Sequence, residues 1–150
     1  PVVSWYLDVS LLAGYWTGNR AGRAYHHTAP ISMMFALAEA LRLIMREGLE
    51  ERWLRHEEAG RFLQAELAAM GFDMLAPRRY RLPQLTAAFV PAGVDGTDVR
   101  QRLLEDFSIE VGGGMGDMAQ RLWRIGLMGR GASREAAVRL IQAIEALITD

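Results

Sequence analysis

The segment Arg121-Leu122-Trp123-Arg124-Ile125-Gly126-Leu127 decides the fold class of this sequence. It is short, mainly apolar and bounded by glycine-rich segments on both sides, which is typical of a β-strand in a small sheet. After a short turn, Ser133 begins a segment in which apolar residues recur at helical spacing: Ala137, Leu140, Ile141, Ile144 and Leu147. A strand followed by an amphipathic helix predicts a layered arrangement in which helices cover a sheet.

Five further elements are predicted before this strand. They are a helix from Pro30 to Gly48, a helix that ends at Gly71, a strand at 84–90, a helix at 97–107 and a strand at 108–111. The first of these helices is apolar nearly all round between residues 31 and 38, so we expect it to be buried on several sides or packed against another chain. Asp95 or Thr97 is expected to cap the helix at 97–107. The element order predicts an α/β domain of two layers, with a small mixed sheet and helices packed on one face.

The first thirty residues differ in composition from the rest. This segment is rich in aromatic residues and glycine. The aromatic residues are Trp5, Tyr6, Tyr15, Trp16 and Tyr25, and Gly14, Gly18 and Gly22 lie among them. This composition predicts a short helix near 8–13 followed by a loop whose aromatic surface is covered by something else. We therefore expect residues 1–30 to belong to the edge of a preceding domain.

Charge and residue usage exclude several classes of function. The 17 basic residues, all of them arginine, balance 18 acidic residues to a net charge of −1, which gives no positive field for a nucleic acid. The absence of cysteine excludes disulfides, thiolate metal sites and cysteine nucleophiles from this chain, and the absence of lysine excludes a lysine nucleophile. Neither a signal peptide nor an apolar run of about 18 residues is present, so we expect a soluble, cytoplasmic protein with no membrane partner. We also expect the chain, which begins at Pro1, to be a piece of something longer.

Three other features invite a ligand-binding interpretation. The glycines at 112–116 favour a turn or flexible loop over a phosphate loop, because no lysine is present and the next element is a strand. The segment 129–133 precedes a helix and could hold an anion, but ordinary helix capping by Ser133 is favoured. His26 and His27 are adjacent and diverge in most backbone conformations, so we expect no metal site there.

Arg124 interrupts the apolar run of the predicted strand at 121–127. Burying a guanidinium without a partner is costly, so the residue needs either solvent or a ligand. From the residues alone, an arginine on the solvated face of a half-exposed strand is favoured over a ligand-binding arginine, and both interpretations stay open.

Four motifs follow one another along the chain. They are Trp5-Tyr6-Leu7-Asp8, Ala24-Tyr25-His26-His27-Thr28, Ile109-Glu110-Val111-Gly112-Gly113 and Leu122-Trp123-Arg124-Ile125-Gly126-Leu127. In order and spacing they resemble successive motifs of the class V aminotransferases of the alanine-glyoxylate and serine-pyruvate group, which are fold type I enzymes that use pyridoxal phosphate. The resemblance spans essentially the whole chain. It implies a C-terminal portion in which residues 1–30 are the tail of the large cofactor-binding domain with an interface loop, and 31–150 are a long connecting helix and the small domain.

The resemblance implies roles for three residues. Tyr25 and Thr28 would reach across a homodimer interface and bind the phosphate of the cofactor in the other subunit. Arg124 would bind the α-carboxylate of the amino acid or oxo acid through two parallel hydrogen bonds that lysine cannot reproduce. In the family the Schiff-base lysine, the aspartate at the pyridine nitrogen and the aromatic residue stacked on the ring lie upstream, so the resemblance implies no catalytic residue in this chain and no activity of the chain alone.

The function implied by the resemblance is transfer of an amino group between alanine or serine and glyoxylate or pyruvate, with pyridoxal 5'-phosphate carrying the chemistry. Cysteine desulfurases share the fold type, but they need a cysteine in their C-terminal half that this chain does not have. The alternative from another class is a non-catalytic α/β module that binds a carboxylate ligand or dimerises, which the missing lysine favours for the isolated chain. A lysine located after a strand upstream of Pro1 would decide for the transaminase.

Overall fold

The computed structural model describes residues 3–15 and 25–148, and the chain divides between Arg46 and Glu47 into two compact units. Trp16, Gly18, Gly22 and Ala24, which belong to the predicted N-terminal loop, lie outside the described residues. The predicted division at residue 30 concerns the domains of a longer protein and stays a prediction.

Two helices make up most of the N-terminal unit. Helix α1, Val9–Leu12, begins where the Asp8 carboxylate accepts a hydrogen bond from the Ser10 N–H at 2.9 Å. Helix α2, Ile31–Glu47, begins directly after Pro30. No residue of α2 is buried, and eight of its large apolar side chains are exposed: Ile31, Met33, Met34, Phe35, Leu37, Leu41, Leu43 and Met45. The described residues therefore do not bury this helix, although the sequence predicts that it is buried on several sides or packed against another chain.

The described residues of the C-terminal unit form three α-helices and four strands. The helices are α3, Leu49–Ala69, α4, Gly96–Phe107, and α5, Arg134–Ile148. The strands are β1, Asp73–Met74, β2, Leu85–Phe89, β3, Gly112–Gly113, and β4, Leu122–Gly126. Of the two predicted caps, Asp95 is the one that caps α4: its carboxylate accepts hydrogen bonds from the N–H groups of Thr97 and Asp98 at 2.9 and 3.1 Å.

All four strands form one sheet in the order β1-β2-β4-β3, and every pairing is antiparallel. The α/β fold class is confirmed, whereas the predicted mixed sheet is wrong. The physical reason is the position of β4. Strands β2 and β3, joined through α4, run in the same direction, but β4 lies between them, so no parallel pair is in contact.

The core lies between the sheet and the helices. Trp123 and Ile125 of β4 face the same side of the sheet as their cross-strand partners Ala88 and Thr86 of β2, and all four are buried. Trp123 is completely buried, and its indole N–H donates to the Gly96 carbonyl at 3.1 Å. The helices contribute apolar side chains to the same core: Leu63 and Leu67 from α3, Val99 and Leu103 from α4, and Leu140, Ile144 and Leu147 from α5.

Strand β3 does not lie where the sequence predicts it. Ser108 adopts the left-handed conformation, φ 55°, and ends α4, and residues 109–111 are not paired as a strand. Pairing with β4 begins at Gly112. The prediction followed Ile109 and Val111, because branched residues favour strands and glycine disfavours them.

No helix in the described parts of the chain is long and apolar enough to cross a membrane. Within the same residues, no three side chains of histidine, cysteine, aspartate or glutamate cluster closely enough to hold a metal ion.

Candidate functional site

Arg124 lies on the face of the sheet opposite the helices. Successive residues of a strand point to opposite faces, so the burial of Trp123 and Ile125 places Arg124 on the outer face, where it is exposed. Its partners across the sheet are Ala87 in β2 and Gly112 in β3. Both neighbours are small, so neither covers the long arginine side chain. The predicted strand is confirmed, and the role of Arg124 toward a ligand stays a prediction.

One nitrogen of the Arg124 guanidinium is held by the backbone. Its Nε donates a hydrogen bond to the Gly113 carbonyl at 2.7 Å. Among the described residues, no carboxylate forms an ion pair with Arg124 and no acceptor bonds its Nη atoms. The edge formed by Nη1 and Nη2 is therefore free to donate two parallel hydrogen bonds to a carboxylate.

Tyr25 and Thr28 are brought together in the N-terminal unit. The Tyr25 hydroxyl and the Thr28 hydroxyl are in direct hydrogen-bond contact, and both residues are exposed, Tyr25 by 71% of its surface. When an anion replaces this mutual hydrogen bond, each of the two hydroxyls can donate its one O–H to an oxygen of the same anion. The structure thus supplies a donor pair of the kind that a phosphate group needs.

Tyr15 holds the backbone of this segment, a contact that the sequence analysis missed. Its hydroxyl accepts hydrogen bonds from the N–H groups of His26 and His27 at 2.7 and 2.9 Å and donates to the His27 carbonyl at 2.9 Å. A single phenol therefore fixes the chain between Tyr25 and Thr28. No sequence signal indicates this contact, because Tyr15 lies about a dozen positions away and reaches the segment only through the tertiary fold.

The two histidines pack against aromatic rings. The His26 ring lies 4.2 Å from the Trp5 ring, and the His27 ring stacks on Tyr6 at 4.1 Å between centroids. His26 Nε2 also contacts the Trp5 carbonyl at 2.7 Å. These contacts attach the Tyr25–Thr28 segment to the start of the chain.

Arg55 anchors the loop that follows β4. Its Nη1 donates to the carbonyls of Gly129 at 2.9 Å and Ala132 at 2.5 Å, and its Nε donates to Glu47 at 2.6 Å. The hydrogen bond from Arg55, assisted by one from Arg52, lowers the pKa of the Glu47 carboxyl. Arg55 is partly buried, and it bonds the backbone of a loop far along the chain.

Ser133 acts as an ordinary helix cap, as the sequence analysis favoured. Its side-chain oxygen accepts a hydrogen bond from the Ala136 N–H at 3.1 Å. The Ser133 side chain thereby satisfies one of the free N–H groups at the start of α5.

Comparisons with known proteins extend over nearly the whole chain, although no family model matches it. The alanine-glyoxylate aminotransferase of Felis catus is 39% identical over 144 residues, which are 95% of this chain and 35% of that protein. The (S)-ureidoglycine-glyoxylate transaminase of Bacillus subtilis is 36% identical over 148 residues, which are 99% of this chain and 35% of that protein. The crystal structure of the alanine-glyoxylate aminotransferase from Nostoc sp. matches with a TM-score of 0.87 and 47% identity, over 98% of this chain and 38% of that chain.

The chain thus spans little more than a third of the length of these relatives. Its α/β architecture matches the C-terminal domain of fold type I aminotransferases. The motif resemblance and the sequence identity agree in both family and position. The chain is therefore homologous to the C-terminal portion of the class V aminotransferases of the alanine-glyoxylate group.

Proposed function

We propose that this chain is the C-terminal portion of a pyridoxal phosphate-dependent aminotransferase that moves an amino group between alanine or serine and glyoxylate or pyruvate. The enzyme acts as a homodimer in the cytoplasm. The observation that carries the proposal is the exposed Arg124 guanidinium, which is held at Nε and has no acidic partner among the described residues. The names of all three relatives include glyoxylate, which supports an oxo acid as the amino acceptor.

Arg124 binds the substrate carboxylate in this proposal. Amino acids and oxo acids both carry a carboxylate next to the reacting carbon, and a guanidinium grips its two oxygens in a fixed orientation. That grip sets the reacting carbon in place relative to the cofactor, which lowers the entropic part of the barrier. Arg124 moves no proton itself, because arginine stays protonated in proteins.

Tyr25 and Thr28 bind the phosphate of the cofactor that the partner subunit holds. The adjacency and exposure of their hydroxyls fit the phosphate chemically, since each can donate one hydrogen bond to a phosphate oxygen. Tyr15 keeps the two residues in this arrangement through the backbone between them. The cofactor, when bound, supplies the electron sink for the bond changes at the substrate α-carbon.

A homodimer is supported by the surface of α2. Eight large apolar side chains on this helix are exposed, and an apolar surface of that extent usually marks a contact with another segment or chain. The Tyr25–Thr28 segment ends directly before this helix. Covering α2 with a second subunit would therefore bring the two hydroxyls close to that subunit.

The proposal predicts that two inactive variants restore activity when they share a dimer. We take the full-length protein that contains this chain and make Arg124→Ala and Tyr25→Ala separately. In a mixed dimer, one site receives both defects, while the other combines an intact Arg124 with the intact Tyr25 of the neighbouring subunit. We expect mixed dimers to recover roughly half of the parent activity, because one of the two sites is complete.

The matched control is each variant mixed with itself, which should stay inactive. If Tyr25 served the site of its own subunit, every site in the mixed dimer would carry one defect and no activity would return. That result, measured on purified mixed dimers with alanine and glyoxylate, would contradict the proposed contact across the interface.

A second candidate applies to the isolated chain. Its 150 residues contain no lysine, so the chain alone has no side-chain amine for the covalent step of this chemistry. By itself it would therefore be an inactive α/β module that binds a carboxylate or dimerises.

A further inference from the structure

We propose that Gly112 is a positioning residue for Arg124, because the absence of a side chain at Gly112 keeps the free edge of the guanidinium open to a carboxylate. The inference rests on the proposed function, which assigns the substrate carboxylate to Arg124.

The sheet register places Gly112 directly beside Arg124. The two residues are cross-strand partners in β3 and β4, so a side chain at Gly112 would share the outer face of the sheet with Arg124. A Cβ added at Gly112 would lie 3.8 Å from both Cβ and Nη2 of Arg124 and 3.3 Å from its carbonyl oxygen. Any longer side chain would therefore extend along the guanidinium.

The hydrogen bond at Nε prevents the guanidinium from moving aside freely. Nε is held by the Gly113 carbonyl at 2.7 Å, so Arg124 can avoid an obstacle at position 112 only by giving up this bond. A guanidinium can form paired hydrogen bonds through Nε and Nη2 or through Nη1 and Nη2, so Nη2 belongs to both pairs. Carbon atoms placed against Nη2 would hinder the remaining free edge and weaken the grip on a carboxylate.

The neighbouring glycines do not have this relation to Arg124. A Cβ at Gly113 would lie 2.6 Å from Nη1 of Arg100, and a Cβ at Gly114 would lie 2.3 Å from the Met118 carbonyl oxygen. Changes at those positions would disturb the packing around Arg100 or the backbone. Gly112 is therefore the position in this run where the effect on Arg124 can be measured separately.

A purely structural role for Gly112 predicts a different outcome. Valine has a higher strand propensity than glycine, which offsets the close approach of an added Cβ to the Arg124 carbonyl oxygen, so Gly112→Val in the half-buried strand β3 should still fold. If position 112 had no bearing on Arg124, carboxylate binding would stay the same. The positioning role predicts weaker carboxylate binding in a protein that is still folded.

The experiment uses the full-length protein and propionate, an unreactive carboxylate of the size of alanine. Gly112→Ala, Gly112→Val, Arg124→Gln and the control Gly131→Ala are compared with the parent; an added Cβ at Gly131 meets no atom within 4 Å. We expect the inhibition constant of propionate to rise about threefold in Gly112→Ala and about tenfold or more in Gly112→Val, the effect of weakening a charged hydrogen bond. The KM for alanine should rise by a similar factor, because alanine binds through the same carboxylate contact. Gly131→Ala should match the parent, and melting temperatures should show that each variant is folded.

The inference is overturned if Gly112→Val binds propionate as the parent does while Arg124→Gln loses binding. In that case Arg124 keeps its proposed role and only the positioning by Gly112 fails. If Arg124→Gln also binds like the parent, the proposed function of Arg124 fails together with the inference. Should Gly112→Val not fold, the same criterion is applied to Gly112→Ala.

Discussion

At the scale of single residues, Arg124 owes its accessibility to its neighbours. Ala87 and Gly112 flank it across the sheet, and the Gly113 carbonyl holds its Nε. The guanidinium is therefore exposed and held in one orientation by its bond to the Gly113 carbonyl. An arginine that only interacts with solvent needs no such fixed orientation. The geometry of the guanidinium, and not its charge alone, is the property that we expect to matter.

Replacing Arg124 with lysine tests this expectation. Arg124→Lys keeps the positive charge but loses both the bond to Gly113 and the paired donors. We therefore expect kcat/KM to fall by a factor that corresponds to a loss of roughly 2 to 4 kcal/mol in transition-state binding. A solvated arginine without a ligand would change this quantity by less than about 0.5 kcal/mol. The measurement is kcat/KM of the full-length enzyme with alanine or serine at matched cofactor saturation, with folding checked by thermal melting. Parent-like kinetics in a folded variant would remove Arg124 from the site.

At the scale of elements, α3 packs so closely on the chain before β2 that it needs a glycine. Gly60 is buried in the middle of α3, and a Cβ there would lie 2.3 Å from the Pro83 carbonyl oxygen and 2.7 Å from the Pro83 Cα. These atoms belong to the backbone and cannot rotate away. Pro83 lies shortly before β2, which is one of the two strands beside Arg124. The contact therefore joins α3 to the start of β2.

We expect Gly60→Ala to destabilise the protein, against the general preference of helices for alanine. Helix propensity alone would stabilise the variant by about 1 kcal/mol, but the overlap with Pro83 should cost more, for a net loss of roughly 1 to 3 kcal/mol. Denaturant unfolding of the full-length protein measures the difference. Gly131→Ala is the matched control and should stay within about 0.5 kcal/mol of the parent. A Gly60→Ala variant as stable as the parent would contradict the close approach of α3 to Pro83.

At the scale of the whole molecule, the proposed function needs contacts and an amine that this chain does not itself provide. The α2 surface is apolar and exposed, the Tyr25 and Thr28 hydroxyls hydrogen-bond each other, and the sequence contains no lysine. In the proposed enzyme, the remaining segments and the second subunit cover the apolar helix and supply the amine. The separate chain should therefore handle the cofactor differently from the full-length protein.

The separate chain should form no stable covalent link between a side chain and pyridoxal phosphate. Its 150 residues contain no lysine, so the N-terminal amine is the one amine that could condense with the cofactor aldehyde. The measurement is peptide mapping by mass spectrometry after addition of the cofactor and reduction with borohydride. The full-length protein is the control and should carry the cofactor on a lysine outside these residues. A reduced adduct at any side chain of the separate chain would contradict this prediction.

The sequence alone predicts much of the fold and the three proposed site residues. The apolar spacing of α3 and α5 and the alternation of β4 follow from the side-chain periods of helix and strand, so they can be read locally. The outward position of Arg124 follows from the same alternation once Trp123 is buried. Tyr25 and Thr28 came from the motif resemblance, because exposed hydroxyls carry no periodic signal.

Only the tertiary structure decided the antiparallel strand order, the glycine strand β3 and the contacts of Tyr15 and Arg55. Strand order depends on which segments meet after the chain folds back, and the insertion of β4 between β2 and β3 leaves no trace in local periodicity. Gly112 and Gly113 pair as a strand because β4 lies beside them, despite their low intrinsic propensity. Tyr15 and Arg55 act through hydrogen bonds to backbone groups far along the chain. Backbone acceptors and donors are the same at every residue, so such long-range partners become visible only when the folded chain brings them together.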